Sequence, residues 1–111
     1  MRTLNIDGQS IEVHNLKVIL EWFGVIGHCW NGKISVSKSL SGNELIRVVR
    51  NELCHQRQQS LIGWKEYKRL YLKLWFKYGY KQSPLEKEAD ALDEIKRGWE
   101  QVTEDSWRKY E

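Results

Sequence analysis

Arg50-Asn51-Glu52-Leu53-Cys54-His55-Gln56-Arg57-Gln58-Gln59 is the most informative stretch of the chain. It falls inside a helix expected from about Asn43 to Gln59, with Leu45, Val48, Val49 and Leu53 as its apolar side. Set against the pattern H-E-x-x-H, it matches at Glu52 and His55 and departs at the first position, where Asn51 stands. The spacing has a physical reason. Residues at i and i+4 lie one above the other on a helix face, so two imidazoles there can hold one zinc ion. The Glu between them then reaches a metal-bound water as general base. Any helix can offer a Glu and a His three apart, so the match takes its weight from what surrounds it.

Downstream, Gly63 marks a break. A second helix is expected from about Trp64 to Tyr78, with Tyr67, Leu70, Tyr71, Leu74, Trp75 and Tyr78 spaced as a core face. Gly79 closes it, and Pro84 suits the first turn of a third helix. That helix is expected to run from near Leu85 to Trp99, burying Ala89, Leu92, Ile95 and Trp99.

Upstream, Thr3-Leu4-Asn5-Ile6 and Ser10-Ile11-Glu12-Val13 alternate in polarity around Asp7-Gly8, a hairpin signal. Leu16, Ile19, Leu20 and Phe23 have helical spacing behind a capping Asn15. Asn31-Gly32 is a second tight turn before the short strand Ile34-Ser35-Val36-Ser37, and Trp30 is placed on the same small sheet. The fold class is therefore α+β: a small N-terminal sheet, then three or four packed helices, in one domain over residues 1–111.

Composition agrees. In 111 residues, 41% are hydrophobic and 30% charged, and six Trp, five Tyr and two Phe supply large apolar bodies, the balance of a folded globular domain. No stretch approaches the ~20 apolar residues of a membrane span, and the start lacks the apolar run of a secretory signal. Cys29 and Cys54 are too few for a disulfide framework and read as small reduced core residues, which favours a cytoplasmic setting.

The net charge of +3 is unevenly spread. Residues 61–82 carry six Lys/Arg against one Asp/Glu, and residues 83–111 carry five against nine. Across a helical hairpin these can neutralise one another. The interleaved bases Lys65, Arg69, Lys73 and Lys77 also make a candidate phosphate-binding row for nucleic acid. The expected division into an aromatic core face and a basic solvated face argues against that reading, and against a membrane-surface helix.

The segment Ser83-Pro84-Leu85-Glu86-Lys87-Glu88-Ala89-Asp90 extends the first motif. Glutamate zincins take a third zinc ligand from a later helix, with an Asp four residues on that supports a metal-binding His. Glu86 and Asp90 have that spacing. Three segments in order carry a resemblance: Asn51-Glu52-Leu53-Cys54-His55-Gln56-Arg57-Gln58, then Gly63-Trp64-Lys65-Glu66-Tyr67, then Gly79-Tyr80-Lys81-Gln82-Ser83-Pro84-Leu85-Glu86-Lys87-Glu88-Ala89. Over about residues 24–92 the chain resembles small zincin-like metallopeptidases of bacteria and their phages. Their pattern is H-E-L-x-H-x-x-Q, then G-W-x-x-F/Y, then G-Y-x-x-x-P-x-E-x-E-A. The strand at Ile34–Ser37 also looks like that family's edge strand.

The resemblance implies a minimal zincin fold, a peptide or protein substrate, a zinc cofactor held by His55 and Glu86, Glu52 as catalytic base, and Asp90 supporting the ligands. Asn51 takes the place of the first zinc-binding His. An amide oxygen is a poor substitute for imidazole on zinc. Cys54 cannot fill the gap, since neighbours on a helix diverge by about 100°. His14, His28 and Cys29 are the only other candidates to swing in. Zinc is thus expected to be weakly held or absent, with the Asn51 amide donating instead to Asp90. Two readings follow: a metallopeptidase-like protein with a degenerate site, weak or inactive, or a non-catalytic binding protein on the same scaffold. The partner of the second would be a protein, or nucleic acid through the basic helix. Asn51 favours the second.

Overall fold

The computed structural model describes residues 1–110. Two Asx-Gly turns organise the N-terminal third. Asp7 and Gly8 both take positive φ (51° and 86°), as a two-residue type I′ hairpin requires. They join β1 (Arg2–Ile6) to β2 (Gln9–Asn15), with Leu4 opposite Ile11 and Ile6 opposite Gln9. Asn31 and Gly32 (φ 50° and 80°) do the same between β3 (Gly27–Trp30) and β4 (Lys33–Val36). The hairpins meet where β2 and β4 pair in parallel, His14 opposite Ser35 and Asn15 opposite Val36. A parallel pair needs a crossover, and the short helix α1 (Val18–Trp22) supplies it. The strand order is β1-β2-β4-β3, so β3 has a free edge.

Four further helical segments follow. They are α2 (Gly42–Ile62), α3 (Trp64–Tyr78), α4 (Pro84–Leu92) and, after a 3-10 turn at Gly98–Gln101, α5 (Asp105–Arg108). The architecture is the α+β arrangement expected. Ile6, Val13, Ile34 and Val36 from the sheet bury against Val49 and Leu53 of α2, closed by Ala89, Trp99 and Val102. A second cluster joins Tyr67, Leu70 and Leu74 of α3 to Leu85 and Trp107. Arg50 ties α2 to the first turn through Asp7, with Nε and a terminal nitrogen donating at 2.8 and 2.6 Å. Among the described residues no helix is long and apolar enough to cross a membrane.

Several expectations are corrected. Asn15 ends β2 instead of capping α1, because its backbone pairs with Val36. Of the residues read as one helical face there, Leu16 is buried while Ile19 and Phe23 are exposed. The segment Ile34–Val36 is an inner strand, flanked by β2 and β3, and is not the edge strand that the resemblance implied. The third helix stops at Leu92. Trp99 reaches the core by turning back against α2 through the 3-10 turn, which leaves Ile95 outside. On α3 only the narrow stripe Tyr67, Leu70 and Leu74 is buried. Leu72, Trp75, Phe76 and Tyr78 are exposed among the lysines, so apolar and basic residues share that face.

Candidate functional site

Alpha-helical periodicity places Glu52, His55 and Gln58 on the buried side of α2, and Pro84 starts α4 so that Glu86 lies in its first turn. The two helices pack so that His55 Nε2 is 3.2 Å from Glu86 Oε2. His55 Nδ1 lies 2.9 Å from Gln58 Oε1. Gln58 is wholly buried, and its amide nitrogen donates to the Leu85 carbonyl and to Glu88, each at 3.1 Å. Those two bonds fix the amide, so its oxygen faces the imidazole and Nδ1 must donate to it. Nε2 faces a carboxylate and takes the second proton. Burial works to lower the imidazole pKa. The hydrogen bond and charge of Glu86, the charge of Glu52 and the bond to Gln58 outweigh it and hold the value at about 9.

One turn before His55, Asn51 Nδ2 donates to Asp90 Oδ1 at 3.1 Å, the bond that the resemblance leads one to expect. Glu52 is buried, and its carboxyl has no hydrogen-bond partner among the described residues. Burial and the nearby Glu86 push its pKa up to about 7, against the pull of His55. Gly27 of β3 makes room beside it. A Cβ there would come within 2.7 Å of Val48 Cγ1 and 3.3 Å of Glu52 Oε2, so only glycine lets the strand lie this close.

Over this floor opens a cleft of about 350 Å³. Its floor is Glu52, His55 and Glu86, with Asn51 at the side. One wall is β3, from Gly27 to Trp30; the other is α3, through Trp64, Tyr67 and Tyr71, with Tyr80 beyond. Trp30 meets Trp64 edge-on with centroids 4.7 Å apart. Trp64 stacks with Tyr67 at 6.1 Å, and Tyr67 is 6.0 Å from Tyr71. The Lys68 ammonium sits 5.2 Å above the Trp64 ring. Two glutamines hold β3 in place through the backbone. Gln59 accepts from Gly32 N at 2.7 Å and donates to the Cys29 carbonyl at 2.9 Å. Gln56 donates to the Gly32 carbonyl at 2.8 Å.

The other candidates stand as follows. His28 lines the cleft with Nδ1 buried and unpartnered among the described residues, and burial lowers its pKa. Cys29 also lines it, as a thiol that burial pushes up to about 12; Cys54 is buried, and both are free. His14 lies on β2, 3.4 Å from Glu12. Of the basic row on α3, Arg69 is bonded by Glu66 at 2.6 Å, and Lys73 reaches the Tyr110 carbonyl at 3.1 Å. Lys65 and Lys77 are exposed.

Do these residues fit a catalytic zinc? Two donor atoms 3.2 Å apart have the separation that two ligands with ~2 Å bonds take on a tetrahedral ion. The third protein ligand is the difficulty. Asn51 lies one turn before His55 on α2, and its side-chain nitrogen is bound to Asp90. Among the described residues, no group of three His, Cys, Asp or Glu side chains is placed to hold a metal ion. A pair of donors does not meet the three-ligand requirement of catalytic zinc.

The sequence singled out Asn51, Glu52, His55, Glu86 and Asp90, and the structure brings all five to one place. It did not single out Gln59 or Gly27, and gave Gln58 no role. Gln58 follows His55 at i+3, on the same helix face, and that spacing was a usable signal. Nothing local in the sequence marks Gln59 or Gly27. Compared with protein-family models, curated proteins and solved structures, the chain matches none of them.

Proposed function

We propose that this protein is a zincin-like, metallopeptidase-derived domain that binds a peptide segment and does not hydrolyse it by a zinc mechanism. The observation that carries the reading is the Asn51–Asp90 hydrogen bond. It engages the side chain at the position that the resemblance gives to a first zinc ligand, and His55 and Glu86 bond to each other one turn further on. Paired in this way, polar groups between α2 and α4 are satisfied without a metal. What remains above it is a binding surface: an aromatic cleft running along the free edge of β3, where an extended chain can add backbone hydrogen bonds. Support also comes from the order of the motifs around residues 51–58, 63–67 and 79–89.

Nuclear magnetic resonance on labelled protein tests this directly. Titrating capped pentapeptides should shift the amide signals of Gly27–Trp30 and the indole signals of Trp30 and Trp64, leaving the peptides intact with or without added zinc. Zinc-dependent cleavage of those peptides would overturn the reading, and so would peptide shifts confined to residues away from the cleft.

A further inference from the structure

The chemistry of the cleft is specific about charge. One wall is aromatic, with Trp64, Tyr67 and Tyr71 in a row along one side of α3. Its floor holds two carboxyls, of which Glu86 is engaged by His55 while Glu52, only 7% exposed, has no hydrogen-bond partner among the described residues. A neutral apolar ligand would seal Glu52 off from water with nothing to bond, and an acidic one would set like charges together. A catalytic zinc would find two of its usual three protein ligands in His55 and Glu86. An organic cation answers both surfaces, because aromatic faces attract positive charge and a buried carboxylate needs a donor. The protein shows the first of these affinities within itself, since the Lys68 ammonium rests on the outer Trp64 ring.

We propose that the cleft is a guanidinium-binding site, and that the bound peptide presents an arginine side chain to it, the flat head group against the Trp64–Tyr67–Tyr71 wall and its N–H groups on Glu52. The peptide part of this inference rests on the function proposed above; the cation part does not. A guanidinium suits the site better than an ammonium, because it is planar, stacks on rings and gives two parallel donors to one carboxylate. No reaction is required of it.

The test is calorimetry with acetyl-Ala-Arg-Ala-amide and with the same peptide carrying citrulline, a neutral isostere of arginine. Butylguanidinium chloride serves as a probe free of any peptide. The arginine peptide should bind at least about tenfold tighter than the citrulline peptide, as expected for loss of a charge-assisted and cation–π contact. Butylguanidinium should compete with it. Glu52→Gln keeps the shape of the side chain and should erase the preference, whereas Glu66→Gln, on the outer face of α3, should leave it intact. The comparison of the two peptides on the native protein needs no variant, so a folding defect in Glu52→Gln cannot obscure it. Equal binding of the two peptides would overturn the inference and leave peptide binding standing. Butylguanidinium binding with neither peptide bound would sustain the cation site and overturn the peptide reading. No binding by any of the three would overturn the inference outright.

Discussion

His55 and Glu86 lie 31 residues apart in the chain, and Nε2 of one is 3.2 Å from Oε2 of the other. Both side chains are buried, and the pair joins α2 to α4 at the floor of the cleft. Glu86→Gln keeps a hydrogen-bonding group against the ring and should cost about 1–2 kcal/mol of stability. Glu86→Ala leaves the imidazole unpaired and should cost about 3 kcal/mol or more. Urea denaturation of the two variants checks this, and a Glu86→Ala variant as stable as the native protein would show that the contact contributes nothing.

Asn51→His should restore a third nitrogen or oxygen donor beside His55 and Glu86, with Asp90 free to accept from the new ring. Zinc affinity is expected to rise about 100-fold or more over the native protein. Saturating zinc should then raise the melting temperature of the variant alone, since a ligand that binds only the folded state stabilises it. Tight zinc binding by the native protein would mean that Asn51 or another side chain ligates after all.

Gly27→Ala should be destabilising by about 1–3 kcal/mol, the usual range for forcing an extra methyl into a packed contact. The new Cβ would press on Val48 Cγ1 and on Glu52, so the strand or the carboxyl must move. Peptide affinity should fall in step with stability, read by calorimetry and thermal melting on the same sample. An unaltered melting temperature would show that α2 yields freely there.

Asp7 contributes to the acid dependence of the fold. The hydrogen bonds from Arg50 hold its carboxyl below the ordinary 3.8, against the opposing effect of burial, helped by the Arg97 backbone N–H. A depressed folded-state pKa means that the stabilisation is full above 3.8 and lost as pH falls through the lower native value. Asp7→Asn should therefore melt lower than the native protein by a constant margin above about pH 5, about 1–2 kcal/mol in stability, and the margin should close at lower pH. A margin independent of pH down to acid unfolding would rule out the ion pair as its source.

Lys65, Arg69, Lys73 and Lys77 are expected to give no detectable binding to short DNA or RNA at physiological salt. Arg69 and Lys73 already have partners within the chain, and a row reduced to Lys65 and Lys77 releases few counterions. Fluorescence anisotropy across a salt series decides it. Tight binding with a steep salt slope would return α3 to the nucleic-acid reading, with exposed Trp75 and Phe76 as stacking surfaces.

The parts of this fold visible in the sequence are those set by local chemistry. Asp7-Gly8 and Asn31-Gly32 specify their turns because few residue pairs tolerate two positive φ angles. The i, i+3 and i+4 spacings along residues 43–59 and 64–78 locate α2 and α3 closely. The remainder depends on contacts between distant segments. β3, Gly27-His28-Cys29-Trp30, has no polarity alternation, and what makes it a strand is its pairing with β4, held by Gln59 of α2 on the Cys29 carbonyl. The parallel pairing of β2 with β4 leaves no mark in either strand alone. The exposure of Trp75 follows from the small size of the helical core, which Tyr67, Leu70 and Leu74 already fill against Leu85 and Trp107. Likewise, the convergence of Glu52, His55 and Glu86 could be anticipated from spacing, whereas the aromatic wall facing β3 depends on how the sheet docks.

The glutamine clamp has an evolutionary consequence. Gln56 and Gln59 grip the Cys29 carbonyl and the Gly32 amide and carbonyl, all main-chain groups that every residue type carries. The placement of the β3–β4 turn is thus decoupled from the side chains it displays. Substitutions at His28 or Trp30 can remodel one rim of the cleft without unmooring the strand that forms it. A lineage carrying this domain can therefore exchange one ligand for another by changing a few rim residues, with the scaffold unchanged.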